Sequence, residues 1–122
     1  MIFGVGTDIM DIERMEKAAE NSRFLERVFT GAEIDYCKSR PNPWQSFAVR
    51  FAAKEAVYKI FSVHLTALVW RDIEVVLLPD GQPQLNLFGE VADAAKKLGV
   101  IKLYISLSHS DKLAQAFVVA EC

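Results

Sequence analysis

Arg50, Lys54, Glu55 and Lys59 are the residues whose types and spacing first suggest chemistry. Within RFAAKEAVYK they set three cations around one carboxylate on a stretch that reads as helix. Such a cluster suits a ligand that carries several negative charges together with a metal ion. The same pattern also describes a solvated helix face, since Glu55 and Lys59 form an i,i+4 pair in the favourable order, worth roughly 0.2–0.5 kcal/mol when exposed. The helix alone leaves both readings open. A second carboxylate, Asp8, interrupts the apolar strand that runs from Ile2 to Ile9. Burying it without a partner is costly, so it must cap the following helix, bond to a turn or meet a cation. The GVGTD around it lacks the third glycine of a dinucleotide fingerprint, and that possibility is set aside.

The elements that must position these groups follow from periodicity. The charged helix spans Trp44 to Phe61, with Pro43 at its tolerant first turn. On a wheel of about 100° per residue, Ala52, Ala53, Ala56, Val57, Ile60 and Phe61 form its core side. Lys54, Glu55, Tyr58 and Lys59 then face the other way, with Arg50 at the edge. Gly4 and Gly6 in the first strand mark places where another backbone comes close. Asp11 to Glu20 reads as a helix with Ile12, Met15 and Ala19 inward and a separate stripe of Met10, Arg14, Lys17 and Asn21. That stripe suits an acidic, partly apolar partner helix, although a salt-bridged exposed face accounts for it as well. Ser22 starts a further turn that carries Arg23 and Arg27, and Thr30 to Glu33 has capping-box spacing for a short helix to about Ser39.

Beyond Phe61, strands Ile73 to Leu78 and Gln84 to Leu87 flank the turn Pro79-Asp-Gly-Gln82. Glu90 to Leu98 is a second amphipathic helix with Gly99 just past its end. Val100 to Ser108 and Leu113 to Glu121 are strands joined through His109-Ser-Asp-Lys112. One early strand, then helices, then hairpins is an α+β arrangement.

The totals bound the answer. A chain of 122 residues suits one domain, 1–122. Net charge of −2 and 52% hydrophobic residues point neither to a nucleic-acid binder nor to a disordered chain. Cys37 and Cys122 lack metal-ligand spacing and read as free thiols of a reducing compartment, hence a cytoplasmic expectation. No apolar run is long enough to span a membrane.

GTDI ending at Ile9, RFAAKEAVYK from Arg50 to Lys59, and SLSHS from Ser106 to Ser110 together resemble the holo-acyl-carrier-protein synthase family, the small 4′-phosphopantetheinyl transferases. Asp80-Gly-x-Pro83 and Lys96-Lys-Leu-Gly-Val100 fit the same family in the same order, so the resemblance covers nearly the whole chain.

The resemblance implies a phosphopantetheinyl transferase-like fold and transfer of 4′-phosphopantetheine from coenzyme A to a serine of apo-acyl carrier protein. Adenosine 3′,5′-bisphosphate is released, and fatty acid biosynthesis is the pathway usually served. It implies a divalent cation, usually Mg2+, on Asp8 and Glu55, with Lys59 neutralising a phosphate. Arg50, Lys54 and Lys59 are candidates for the phosphates, and Ser108, His109 and Ser110 lie near the nucleotide; a buried, hydrogen-bonded histidine is the other reading of His109. Glu55 is favoured as the proton acceptor, directly or through a water on the cation, with Asp8 able to share that role. Met10, Arg14, Lys17, Arg23 and Arg27 would meet the acidic carrier. The family typically forms a homotrimer with sites between protomers, so that Arg50 and His109 could serve a neighbour's site.

One departure stands out. Where family members carry Gly-x-Gly after the long helix, this chain has Ser62-Val-His-Leu-Thr-Ala67, with His64 as a candidate to fill the space. That is the ground for an alternative, a carrier-protein or coenzyme A binding module with weakened turnover. A metal-dependent hydrolase of nucleotide pyrophosphates would use the same carboxylates.

Overall fold

The first strand of the computed structural model, which describes residues 1–122, finds its partner at the far end of the chain. β1 (Ile2–Asp11) pairs antiparallel along its length with β5 (Leu113–Glu121), and β4 (Lys102–His109) pairs with β5 from the other side, giving the order β1-β5-β4. The N-terminal amine donates to the Cys122 carbonyl at 2.9 Å, which ties the two termini together. A separate two-stranded hairpin, β2 (Ile73–Leu77) with β3 (Pro83–Leu87), turns through Gly81 at φ 88°, a backbone conformation glycine adopts at no steric cost.

Between these strands lie α1 (Ile12–Ala19), α2 (Ser22–Val28), α3 (Gly31–Lys38) and α4 (Pro43–Phe61), with α5 (Gly89–Lys97) between the hairpin and β4. The starts of α1 to α4 have local causes. Asp11, not Asp8, caps α1 by accepting from the Arg14 amide at 3.0 Å. Asn21 caps α2, Asn42 caps α4 with Pro43 in its first turn, and Thr30 with Glu33 closes the capping box of α3. Gly99, at φ 75°, follows the end of α5 as expected. The α+β arrangement read from the sequence is the one observed.

α4 crosses the sheet and splits the core in two. Its first half packs Phe47 and Ala48 against Met15, Val28 and Phe29 from α1, α2 and the α2–α3 link. Its second half packs Ala52, Ala53, Ala56, Val57 and Phe61 against Ala116 and Val118 of β5 and Ile73 and Val75 of β2. Full burial of a Phe or Val here contributes about 1.5–3 kcal/mol. The row of alanines lets α4 lie close to the sheet, which brings groups on β1 and α4 within reach of each other.

The helix wheel assigned α4 a single core side, and this is corrected. Lys54 has no solvent exposure and Arg50 only 4%. α4 is a central helix with the sheet on one side and α3 and β2 on another, so its 50/54 row is covered as well.

Candidate active site

Asp8 and Glu55 come from distant parts of the chain to one place. Asp8 lies in β1 on the face turned toward α4, and its carboxylate accepts from Lys59 Nζ at 2.8 Å. The same amine donates to the Thr7 carbonyl at 2.9 Å. Glu55, one helical turn before Lys59, lies close enough to Asp8 for each carboxyl to feel the other. Its pKa is pushed up to about 7, first by burial, then by the Asp8 carboxyl beside it, with Lys59 and Arg14 acting in the opposite sense. The bond to Asp8 raises the Lys59 pKa.

Two acids forced together, with oxygen donors only, suit a small hard cation. Magnesium commonly takes one or two carboxylates and fills its shell with water and phosphate oxygens. No third His, Cys, Asp or Glu joins the pair. The residues present therefore fit such an ion when the remaining positions are left to solvent and substrate.

Beside Glu55 opens an apolar cavity of about 340 Å3, lined by Ile9, Met10, Arg14, Phe24 and Phe51 among others. The sequence singles out Met10 and Arg14 for carrier docking, not for a place beside Glu55, and does not single out the two phenylalanines. Phe51 is half-buried, stacked on Trp70 at 4.9 Å and tilted against Phe24 at 6.3 Å. Their signal was an aromatic at the edge of each helix's apolar stripe. Arg14, Lys17, Arg23 and Arg27 are exposed on α1 and α2, with Lys17 in a surface pair to Glu13 at 3.4 Å.

A second cavity, of about 370 Å3, lies between the end of α3 and the first turns of α4, where Tyr36, Arg40, Gln45, Ser46 and His109 line it. Behind it, Arg50 stacks over the Tyr36 ring at 4.6 Å and donates to the Ser46 carbonyl at 3.1 Å, while its buried Nε has no partner. Arg40 and Tyr36 were not anticipated; no periodicity distinguishes them. His109 is the last residue of β4, paired with Ala114, and is exposed. The buried-histidine reading is thus excluded. Ser110 accepts from the amides of Lys112 and Leu113, which shapes the β4–β5 turn. Ser108, His109, Ser110 and Ile9 also line a smaller cavity on the same end of the sheet. The cavity at Arg40 and the one at Glu55 share no lining residue.

Lys54, expected among the phosphate-binding cations, is not available to a ligand. Its amine pairs with Glu33 Oε1 at 2.7 Å and donates to the carbonyls of Trp70 and Ile73, which uses all three of its hydrogens. Burial lowers its pKa, and the Glu33 carboxylate opposes that shift.

After α4 the glycine-free segment forms a 3-10 turn, Ser62–His64, and no residue other than glycine in the chain takes a positive φ. The segment therefore needs no glycine for its backbone. His64 is exposed and tilted against Phe3 at 6.5 Å, and Glu90 of α5 holds the stretch by accepting from the Thr66 amide at 2.9 Å and hydroxyl at 2.8 Å.

The family profile described as the 4′-phosphopantetheinyl transferase superfamily matches residues 4–121. A holo-[acyl-carrier-protein] synthase of Dehalococcoides mccartyi is 48% identical, covering 95% of this chain and 96% of that protein. The crystal structure of the holo-[acyl-carrier-protein] synthase from Neisseria meningitidis is similar with a TM-score of 0.89 at 29% identity, covering 100% of both chains. That of the Helicobacter pylori synthase in complex with coenzyme A gives 0.81 at 31% identity, over 97% of this chain and 100% of that one.

Proposed function

The chain belongs to the 4′-phosphopantetheinyl transferase superfamily, among its holo-acyl-carrier-protein synthases, and on that premise we propose that it transfers 4′-phosphopantetheine from coenzyme A to a serine of apo-acyl carrier protein with Mg2+ held by Asp8 and Glu55. The observation that carries the reading is the meeting of Asp8, Glu55 and Lys59, two acids and a cation from β1 and α4.

Attack on a pyrophosphate requires negative charge to be neutralised where it develops, and positioning plus electrostatics supply most of the acceleration. The cation, when bound to the two carboxylates, supplies that neutralisation on the transferring phosphate. Glu55 takes the proton from the serine hydroxyl, directly or through a water. The serine oxygen bonds to the β-phosphorus, the pyrophosphate bond breaks, and adenosine 3′,5′-bisphosphate departs with the electron pair. Lys59, half exposed, turns from Asp8 toward the phosphates as charge grows there. Arg50, with its unpartnered Nε, and His109, Ser108 and Arg40 form the cradle for the nucleotide's remaining phosphate.

Arg14, Lys17, Arg23 and Arg27 would steer the acidic carrier, and the apolar cavity beside Glu55, with Met10, Phe24 and Phe51, would take an apolar side chain next to its serine. The Glu55 cavity and the Arg40 cavity share no lining residue, and one nucleotide served by acids from one chain and the cradle from another would join them. The sheet face turned away from α4 favours such an assembly: Val5, Ile9, Tyr104, Leu113 and Phe117 are exposed on it. A homotrimer of single-domain chains, each spanning 1–122, in the cytoplasm is the arrangement proposed; no helix is long and apolar enough to cross a membrane.

The test is mass spectrometry of apo-acyl carrier protein incubated with the chain, coenzyme A and Mg2+. The carrier should gain the phosphopantetheine mass, and chelation should stop the gain. No gain on any carrier, with binding retained, would leave a binding module; free phosphopantetheine without a carrier would mean a hydrolase.

A further inference from the structure

Gly6 is the one fully buried residue of β1. It lies two positions before Asp8, on the same face of the strand. A Cβ added there would fall inside van der Waals contact with the Ala56 carbonyl oxygen, 2.9 Å from its carbonyl carbon and 3.2 Å from Ile60 Cγ1. The obstruction is helix backbone, which cannot turn aside as a side chain does. Ala56 directly follows Glu55, and Ile60 directly follows Lys59, so the seam between Gly6 and α4 also sets how closely Asp8 approaches its two partners. Lys59 registers the same closeness by bonding the Thr7 carbonyl as well as Asp8. Gly4 differs: a Cβ there would meet Ile60 Cγ2 at 3.4 Å, an ordinary contact.

We propose that Gly6 is a positioning residue of the reaction, the absence of its side chain fixing the β1–α4 spacing at which Asp8 and Glu55 clasp one divalent cation. The inference rests on the reading of that pair as a cation site. Any larger residue at 6 forces strand and helix apart by a sizeable fraction of an ångström. Misplacements of that order remove catalysis steeply, on the order of 10²-fold for 1 Å.

The test uses Mn2+ as a paramagnetic stand-in, titrated into the cation-free full chain and followed by electron paramagnetic resonance. Wild type should bind it, and Asp8→Asn and Glu55→Gln should each abolish binding. Gly6→Ala should weaken it about tenfold or more and lower kcat by about 10²-fold, while Gly4→Ala stays within about twofold of wild type in both. Asp8→Glu, one methylene longer, should weaken binding in the wild-type background yet recover part of it in Gly6→Ala, an outcome that a merely structural role for Gly6 would not produce. Should Gly6→Ala fail to fold, Ile60→Phe widens the same seam from the helix side and carries the comparison. A folded Gly6→Ala that binds Mn2+ as tightly as wild type overturns the inference alone. A wild-type chain that binds no Mn2+, or an Asp8→Asn chain that binds it normally, overturns the cation reading and the inference with it.

Discussion

Lys54 Nζ lies 2.7 Å from Glu33 Oε1 with neither side chain exposed to solvent. The pair joins α3 to α4, and through the Trp70 and Ile73 carbonyls it reaches the start of β2. Glu33 meanwhile bonds the amides of Thr30 and Val75. Removing one partner of such a pair leaves the other buried without compensation, which costs about 3–5 kcal/mol. Lys54→Met should therefore lower the thermal midpoint substantially, while the folded fraction keeps its affinity for coenzyme A. An affinity loss with unchanged stability would return Lys54 to the phosphate site.

The same pair shows where sequence reasoning stopped. Glu33 was legible as a capping residue because its partner, Thr30, is three positions away. Its bond to Lys54 depends on how α3 folds back on α4, and no periodicity encodes that. For the same reason the wheel gave α4 one core side, whereas a central helix is covered around most of its circumference. The strands, the capping box, Pro43, and Gly81 and Gly99 were legible because they rest on local patterns, whereas the caps Asp11, Asn21 and Asn42 went unnamed. The approach of β1 to α4 was half legible, since Gly4 and Gly6 signalled a close neighbour without naming it. The convergence of Asp8 with Glu55 came from family resemblance. Arg40 and Tyr36 acquire meaning only when the end of α3 is seen facing His109.

Glu55→Gln keeps the shape of the side chain and removes its charge. Because Glu55 sits at the surface of the seam rather than in the core, the variant should fold normally and lose cation binding and nearly all turnover, by about 10³-fold or more for combined loss of proton acceptor and cation. Wild-type rates in this variant would remove Glu55 from the mechanism.

The raised pKa of Glu55 ties activity and stability to pH in opposite directions. With a folded value of about 7 against an ordinary 4.5, the folded chain keeps this proton longer than the unfolded chain does. Its contribution to stability is then fully present below about pH 4.5 and is lost as pH rises through about 7. Cation-free protein should melt progressively lower across that window, Glu55→Gln should flatten the slope, and added Mg2+ should restore the midpoint at pH 8. Turnover with Mg2+ present should also rise with pH, but over a lower range, since a cation on the same carboxylate favours its ionised form. Thermal melts at several pH values, with and without Mg2+, check both signs.

Arg14 faces the apolar cavity next to Glu55 and lowers the pKa of that acid. Arg14→Glu should slow association with the acidic carrier about tenfold at low ionic strength, with the difference shrinking as salt is added. Coenzyme A affinity should not change. Because the substitution replaces a cation near Glu55 with an anion, the pH profile of turnover should also move upward. Stopped-flow association at two salt concentrations would reveal an unaffected carrier on-rate, which would take α1 out of the docking surface.

Acids and phosphate cradle drawn from different protomers make a prediction about mixtures. Glu55→Gln lacks a working acid pair but keeps the cradle; His109→Ala, at an exposed position, keeps the acids but weakens the cradle. If each site draws acids from one protomer and His109 from the next, co-refolding equal amounts of the two variants should create some sites with both parts intact. Random assembly into closed rings gives about a quarter of sites of that kind, so the mixture should approach about a quarter of wild-type activity. Sites contained within one chain would leave the mixture at the mean of the two variants. Activity of the co-refolded mixture, compared with that of the same proteins mixed after separate folding, decides between the two arrangements.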